Sequence, residues 1–212
     1  AMSMWRRQPP SPPPPPANLP FPVLATAAML LLCAGCCLWY TMHGTLRGWR
    51  RPYALALAIN IFAVAIDGRF DSEDDVMVNL PWPTLLSPAG FAFAIWGVIY
   101  LGELAGLAVV LLSAGVADGF ERVVRASNTA WLAANCAQAL WCVAFRPWAL
   151  ELLWLPTLLL GTGALCLLLA QLRLLKAAAD APVPPAAPAA LAALVWPRSL
   201  HLGWLLAAAL VH

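Results

Sequence analysis

Apolar stretches long enough to cross a bilayer limit most strongly how this chain folds. One of them, SPAGFAFAIWGVIYLGELAG at residues 87–106, holds a single charged side chain, Glu103. A membrane-spanning helix needs about 20 mostly apolar residues. The whole chain is 62% hydrophobic and 10% charged, with a mean hydropathy of +0.77, whereas soluble domains carry about 25% charged residues. We therefore predict an all-α integral membrane protein.

The apolar stretches predict six spans. They lie at residues 23–42, 52–66, 88–113, 128–145, 149–172 and from 189 to the end. Basic residues are more frequent in the turns between spans that face away from the two termini. The positive-inside rule then predicts that both termini lie outside the cytoplasm, or its stromal or matrix equivalent. The membrane itself is left open between an organellar membrane, thylakoid or mitochondrial, and the bacterial inner membrane.

The connecting segments divide the chain into three parts. Residues 1–22 form a proline-rich arm, for which we expect an extended, polyproline-type conformation. Residues 23–51 comprise the first span and a basic turn, and residues 52–212 comprise the other five spans. Residues 67–87 are an acidic loop around Trp82, and a polar turn with Asp118 and Glu121 precedes the fourth span. Loops as long as 67–87 are often functional.

Composition and motifs exclude several function classes. The net charge of +2 is too small to indicate a nucleic-acid partner. The six cysteines all lie in apolar runs, which predicts free, buried thiols rather than disulfides or a metal site. The serines lack a nucleophile-elbow context, and Gly161 and Gly163 are not followed by the Lys-Ser/Thr pair of a phosphate loop. We therefore predict that the protein is not an enzyme.

Three spans combine aromatic rings and hydrogen-bonding groups on one helix face. Residues three, four or seven apart share a face. The third span offers Phe93, Trp96, Tyr100 and Glu103; the fourth offers Asn128, Trp131, Asn135, Gln138 and Phe145, with Trp141 adjacent; the sixth offers Arg198, His201, Trp204 and, near the chain end, His212. Because lipid gives polar groups no partner, we predict that these faces point into the bundle.

The charged and polar residues of these faces leave alternatives open. Glu103 and Arg198 both lie near the middle of their spans, so they are a candidate ion pair, with neutralisation of Glu103 as the alternative. His201 is either a porphyrin-metal ligand or a hydrogen-bonded core residue. Asn135 and Gln138 are either ligand contacts or hydrogen bonds between helices. Gly102 and Gly106 form a GxxxG pattern that allows close helix contact.

Three motifs resemble one known family. The third span matches the pattern Pro-Ala-Gly-aromatic-x-Phe-x-Ile-Trp-Gly-x-Ile-Tyr, from Pro88 to Tyr100. Gln138, Trp141 and Phe145 fit a polar-x-x-Trp-x-x-x-aromatic pattern, and residues 197–204 resemble Pro-Phe-Ser-Leu-Tyr-Leu-Gly-Trp. In this order, over about residues 53–212, they resemble a divergent branch of the tryptophan-rich sensory protein family (TspO, translocator protein or peripheral benzodiazepine receptor).

The resemblance implies a fold and a function. It implies a five-helix bundle, often dimeric, to which residues 23–42 add an extra N-terminal transmembrane helix. It implies a pocket between helices that binds tetrapyrroles (heme, porphyrin or chlorophyll), sterols or other lipids, with the loop of Trp82 as its lid. The expected ligand-binding residues are Trp82, Phe93, Trp96, Tyr100, Glu103, Asn135, Gln138, Trp141, Arg198, His201 and Trp204, of which Glu103 and His201 could ligate a tetrapyrrole metal.

Departures from the family pattern suggest a second hypothesis. Glu103, Arg198 and His201 occupy positions where the family pattern leads us to expect apolar or aromatic residues. The extra span and the proline-rich arm suit a non-catalytic accessory subunit of a large photosynthetic or respiratory membrane complex, itself able to carry pigment or lipid. A transporter would explain the charges inside the spans, but the chain has no recognisable inverted repeat.

Overall fold

The computed structural model describes residues 24, 27–29, 31–35, 38, 49–66, 69–70, 90–112, 118–180 and 187–211. These residues are almost entirely helical and include no strand. The predictions for the proline-rich arm, for most of the acidic loop, including Trp82, and for His212 fall outside them.

Five long helices follow one another along the described chain. They are α1 (Arg50–Ala65), α2 (Ile95–Leu112), α3 (Asp118–Ala144), α4 (Trp154–Ala179) and α5 (Ala187–Val211). A 3₁₀ turn, Gly90–Ala94, leads into α2, and another, Pro147–Leu152, separates α3 from α4. The described residues between 24 and 38 are also helical and form an N-terminal helical segment.

The start of α3 corrects the predicted polar turn. The helix begins at Asp118, so Glu121 lies within it. Glu121 accepts hydrogen bonds from the Trp49 indole and from Arg50, both at 2.9 Å, and Arg125 lies one turn further on at 3.9 Å. These contacts give Glu121 and Arg125 partners on the helix surface and at the start of α1, which lets them remain helical.

Within the described residues, three helices are long and apolar enough to cross a membrane: Ala92–Leu112, Trp154–Ala179 and Pro188–Leu210. The third, fifth and sixth predicted spans coincide with them. The helix α1 has only 16 residues. The helix α3 is longer, with 27 residues, but it carries Asn128, Asn135 and Gln138. Membrane crossing by α1, α3 and the N-terminal segment stays a prediction.

The five helices pack in a closed ring of contacts, in the order α1, α3, α4, α5 and α2. From Trp131 to Ala144 nearly every residue of α3 is buried. Met29 and Cys33 of the N-terminal segment are also buried, and the Cys33 thiol donates to the Cys136 carbonyl at 3.9 Å. Because its neighbours enclose it, α3 can hold polar side chains that a lipid-facing helix could not.

The predicted GxxxG pattern lies at a close contact between α2 and α5. A Cβ atom on Gly102 would lie 2.8 Å from the Pro197 Cβ, and one on Gly106 would lie 3.0 Å from the Ala193 carbonyl oxygen. Pro197 has no N–H to give that carbonyl, which is four residues earlier in the helix. The glycines therefore bring α2 against the proline break in α5, and this contact sets which residues of the two helices face each other.

Arg69 and Arg146 donate hydrogen bonds to backbone carbonyls at the C-terminal ends of α1 and α3. Arg69 donates to the Val64 carbonyl at 2.5 Å, and Arg146 donates to the carbonyls of Cys142 and Ile66 at 3.1 and 3.0 Å. Cationic donors at helix C-termini satisfy carbonyls that have no helical partner and interact well with the helix dipole. The ends of α1 and α3 are thereby joined where the acidic loop leaves α1.

Candidate functional site

A continuous hydrogen-bond network lies inside the ring of helices. It joins side chains from α1, α2, α3 and α5, and we call it the central network: Asn60, Tyr100, Glu103, Asn135, Gln138 and His201. All six are buried, with Glu103 3% and His201 0% exposed. Four of them come from the predicted faces of the third and fourth spans, so those faces do point inward.

The backbone carbonyl of Trp131 determines which atom donates and which accepts in each hydrogen bond of the central network. Asn135 Nδ2 donates to the Trp131 carbonyl at 3.0 Å, so its Oδ1 faces Asn60. Asn60 Nδ2 donates to that oxygen at 3.0 Å and to Gln138 Oε1 at 3.2 Å. Gln138 Nε2 in turn donates to the Tyr100 hydroxyl at 3.0 Å, and Tyr100 donates to Asn60 Oδ1 at 3.3 Å.

These donor and acceptor assignments determine which ring nitrogen of His201 carries a proton. Its Nε2 faces Gln138 Oε1, an acceptor, and must therefore carry a proton. Its Nδ1 lies 2.7 Å from Glu103 Oε1, and that bond also needs one proton. The proton belongs either to an imidazolium facing a carboxylate or to a carboxylic acid facing a neutral imidazole. In both cases the Glu103–His201 pair has no net charge.

Aromatic rings surround one side of the central network. Trp96 lies at their centre, with ring centroids 5.6 Å from Tyr100, 5.6 Å from His201, 6.1 Å from Trp204 and 6.5 Å from Trp141. Further contacts extend the group, which we call the Trp96 cluster: Phe93, Trp96, Trp141, Phe145 and Trp204. It extends to Phe70, whose ring meets Phe145 edge-on at 5.2 Å.

Arg198 belongs to a second polar group, one helical turn before His201. Its guanidinium donates to the Tyr53 hydroxyl at 2.6 Å and to Ser127 at 3.1 Å, and it lies 4.6 Å above the Trp131 ring. With Asn128, next to Ser127 in α3, these residues form the Arg198 cluster: Tyr53, Ser127, Asn128, Trp131 and Arg198. All five are buried.

The predicted Glu103–Arg198 ion pair is wrong. Glu103 bonds to His201, and Arg198 bonds to neutral hydroxyls of α1 and α3. The reason is the register of the two helices. Because Gly102 packs directly against Pro197, Glu103 faces the next turn of α5, where His201 lies. Arg198 is turned instead toward Ser127 and Tyr53.

Most of the predicted ligand-binding residues come together, and some important neighbours were missed. Except for Trp82, which is outside the described residues, they belong to the Trp96 cluster, the central network or the Arg198 cluster. Sequence reasoning did not single out Asn60, Tyr53 or Ser127 as site residues. The same rule could have found Asn60, since an amide in a short apolar run needs a partner inside the bundle.

Metal binding is restricted by the hydrogen bonds of His201. Among the described residues, no group of three His, Cys, Asp or Glu side chains could hold a metal ion. Both ring nitrogens of His201 are engaged, one by Glu103 and one by Gln138. Axial ligation of a tetrapyrrole metal by this histidine would therefore have to displace one of them. Glu103 Oε2, by contrast, is buried without a partner in the described part of the chain.

The chain was compared with models of known protein families. The family model described as TSPO-like protein matches residues 52–212, which include nearly all of α1 and the whole of α2 to α5. The chain belongs to the TSPO-like protein family. Searches of curated proteins and of solved structures gave no match.

Membership in the TSPO-like family confirms the resemblance found from the motifs. Together with the three helices long and apolar enough to cross a membrane, it identifies a TspO-type membrane protein. The N-terminal helical segment lies before the matched residues and packs on α3 from outside the family core. The central network and the Arg198 cluster lie within the TSPO-like part.

Proposed function

We propose that this TSPO-like protein binds a tetrapyrrole or a similarly flat apolar molecule between its helices, beside Trp96. The observation that carries the proposal is the Trp96 cluster, in which rings from α2, α3 and α5 meet around one indole. Rings of this kind supply stacking area for a flat ligand. The role proposed is binding, without catalysis, and we propose that all five helices cross the membrane.

The polar residues next to the rings fit such a ligand. Binding sites of this type are mostly apolar, with a few polar groups that fix orientation. Glu103 Oε2 is a buried oxygen without a partner in the described part of the chain, and it lies on the residue that bonds His201. When bound, a metallated tetrapyrrole would supply an electrophilic metal, and Glu103 and His201 are the residues that would hold it. A metal-free porphyrin would leave the central network intact.

Titration with protoporphyrin IX tests the proposal. We expect purified protein to shift the Soret band and to show saturable quenching of tryptophan fluorescence. The variant Trp96→Leu should weaken binding by about tenfold, because stacking of one indole contributes about 1–1.5 kcal/mol. Trp196→Leu is the matched control, since Trp196 is 77% exposed and outside the cluster.

Two results would contradict the proposal. One is the absence of any saturable change when protoporphyrin is added to folded wild-type protein. The other is equal loss of binding in Trp96→Leu and Trp196→Leu, because that would place the ligand on the exterior of the helices. Repeating the titration with hemin shows whether a metal centre adds affinity, and loss of that increment in His201→Phe would assign it to His201.

A second candidate role, subunit of a larger membrane complex, is favoured by the N-terminal helical segment. This segment precedes the family core, yet Met29 and Cys33 are buried and Cys33 bonds to α3. An added helix that packs firmly on the core offers partners a surface that the family core lacks. Native gels of membranes from the source cells test this role, and migration only as a monomer or homodimer would exclude it.

A further inference from the structure

The Arg198 cluster contains a positive charge for which the described residues provide no negative partner. Arg198 is 2% exposed and lies in the middle of the candidate span Pro188–Leu210. Among the described residues, no carboxylate lies within ion-pair distance of its guanidinium. Its hydrogen-bond partners, Tyr53 and Ser127, are both neutral hydroxyls. An unpaired buried charge is strongly unfavourable.

The carboxylates nearest along the helices are already engaged. Glu103 forms a pair with His201, and the direction of the central network makes that pair neutral as a whole. Glu121, two turns before Asn128 in α3, accepts from Trp49 with one oxygen and from Arg50 with the other. Neither is therefore a counter-ion for Arg198.

Unpaired polar atoms lie on Trp131, which contacts Arg198, and on Asn128, which is next to Ser127 in α3. Both side-chain polar atoms of Asn128 and the indole Nε1 of Trp131 are buried without a hydrogen-bond partner in the described part of the chain. Asn128 adjoins Ser127, which contacts Arg198, and it lies one turn before Trp131, on which the guanidinium rests. The Tyr53 hydroxyl accepts from Arg198, so its own proton is also available. Donors thus outnumber acceptors around the charge.

From this excess of charge and donors, we infer that the Arg198 cluster is a binding site for an oxyanion, a carboxylate or a phosphate group. The guanidinium would supply the charge, and Asn128 Nδ2, Trp131 Nε1 and the Tyr53 hydroxyl would supply further donors. Charge-assisted hydrogen bonds from arginine to oxyanions are among the strongest in proteins. The site is distinct from the ligand position proposed beside Trp96 and does not depend on it.

Quenching by brominated lipids tests this inference without any tetrapyrrole. Purified protein in dodecyl maltoside is titrated with 9,10-dibromostearate and with its uncharged methyl ester, and tryptophan fluorescence is recorded. We expect the carboxylate to bind about tenfold or more tightly than the ester, since hydrogen bonds to a charged group add about 1.5–3 kcal/mol. In Arg198→Gln the two affinities should become nearly equal.

Two further variants distinguish loss of the oxyanion site from the loss of any arginine and from misfolding. Arg173→Gln removes an exposed arginine of α4 and should leave the ratio of the two affinities unchanged. Asn128→Leu removes an amide that makes no hydrogen bond within the described residues, so it should fold, and it should reduce the ratio by about threefold. If Arg198→Gln does not yield folded protein, Asn128→Leu decides the question.

Further arms identify the source of the oxyanion. Competition by dioleoyl phosphatidic acid but not by dioleoylglycerol would assign a lipid phosphate, and competition by inorganic phosphate or acetate alone would assign a small free anion. The inference is overturned if carboxylate and ester bind equally in wild-type protein, or if Asn128→Leu and Arg173→Gln give the same ratio. The unpaired atoms would then be satisfied by buried water.

Discussion

The central network and the Arg198 cluster lie one turn apart on α5 but are satisfied to different degrees. In the central network each amide is hydrogen-bonded and Glu103 Oε1 bonds to His201, while Glu103 Oε2 has no partner within the described residues. In the Arg198 cluster, Asn128 and the Trp131 indole nitrogen have no partner within the described residues, and Arg198 meets only hydroxyls and a ring. The central network is therefore close to fully hydrogen-bonded, whereas the Arg198 cluster has several groups without a partner, which is why we propose a ligand there.

The largest expected loss of stability comes from replacing Gln138, which lies at the centre of the central network. Gln138 connects His201, Asn60 and Tyr100, so Gln138→Leu would leave buried polar groups of three helices without a partner. We expect the free energy of unfolding to fall by about 3 kcal/mol or more, since each stranded group costs about 1–3 kcal/mol. Denaturant titration in mixed micelles measures it, and a free energy of unfolding equal to or above that of Asn128→Leu would reverse the comparison.

The contact of Gly102 with Pro197, which sets the register between α2 and α5, provides the next test. Gly102→Val would place side-chain atoms where a Cβ already lies 2.8 Å from Pro197, so α2 and α5 must move apart. Overpacking of this kind costs about 1–3 kcal/mol, and it should also weaken the Glu103–His201 contact. Gly97→Val is the control, because nothing lies within 4 Å of its added Cβ. Equal stability of the two variants would show that this contact does not set the register.

Replacing Glu103 tests whether the Glu103–His201 pair consists of two ions or of two neutral groups. An amide at this position can donate to His201 Nδ1, so Glu103→Gln should reduce the free energy of unfolding by less than about 1 kcal/mol. Glu103→Leu leaves Nδ1 without a partner and should cost about 1–3 kcal/mol. Both are measured by denaturant titration in the same micelles. If the glutamine variant loses as much as the leucine variant, His201 needs the negative charge and the pair is held as ions.

The sequence was sufficient for the family, the membrane-compatible helices and the inward faces, because each depends on local spacing. Trp96, Tyr100 and Glu103 share a face whatever packs against it. The pairing of Glu103 was not predictable in the same way. It depends on how far α2 is displaced along α5, which the contact of Gly102 with Pro197 determines. The helical start of α3 was likewise missed, because partners of Glu121 lie far away in sequence at Trp49 and Arg50.

The smallest expected effect is an increase in the free energy of unfolding. It distinguishes the Arg198 cluster from the central network most directly. Asn128→Leu removes an amide that is buried without a hydrogen bond in the described part of the chain, whereas Asn135→Leu removes one that bonds to Asn60 and to the Trp131 carbonyl. Without ligand, the first should raise the free energy of unfolding by about 1 kcal/mol, and the second should lower it by at least that amount. The two substitutions are chemically identical and lie two turns apart on one helix, so helix propensity and transfer from lipid cancel between them. Denaturant titrations of both variants in the same micelles give the difference directly. A loss of stability in Asn128→Leu would mean that the ligand-free protein already satisfies this amide, and the Arg198 cluster would then be structural like its neighbour.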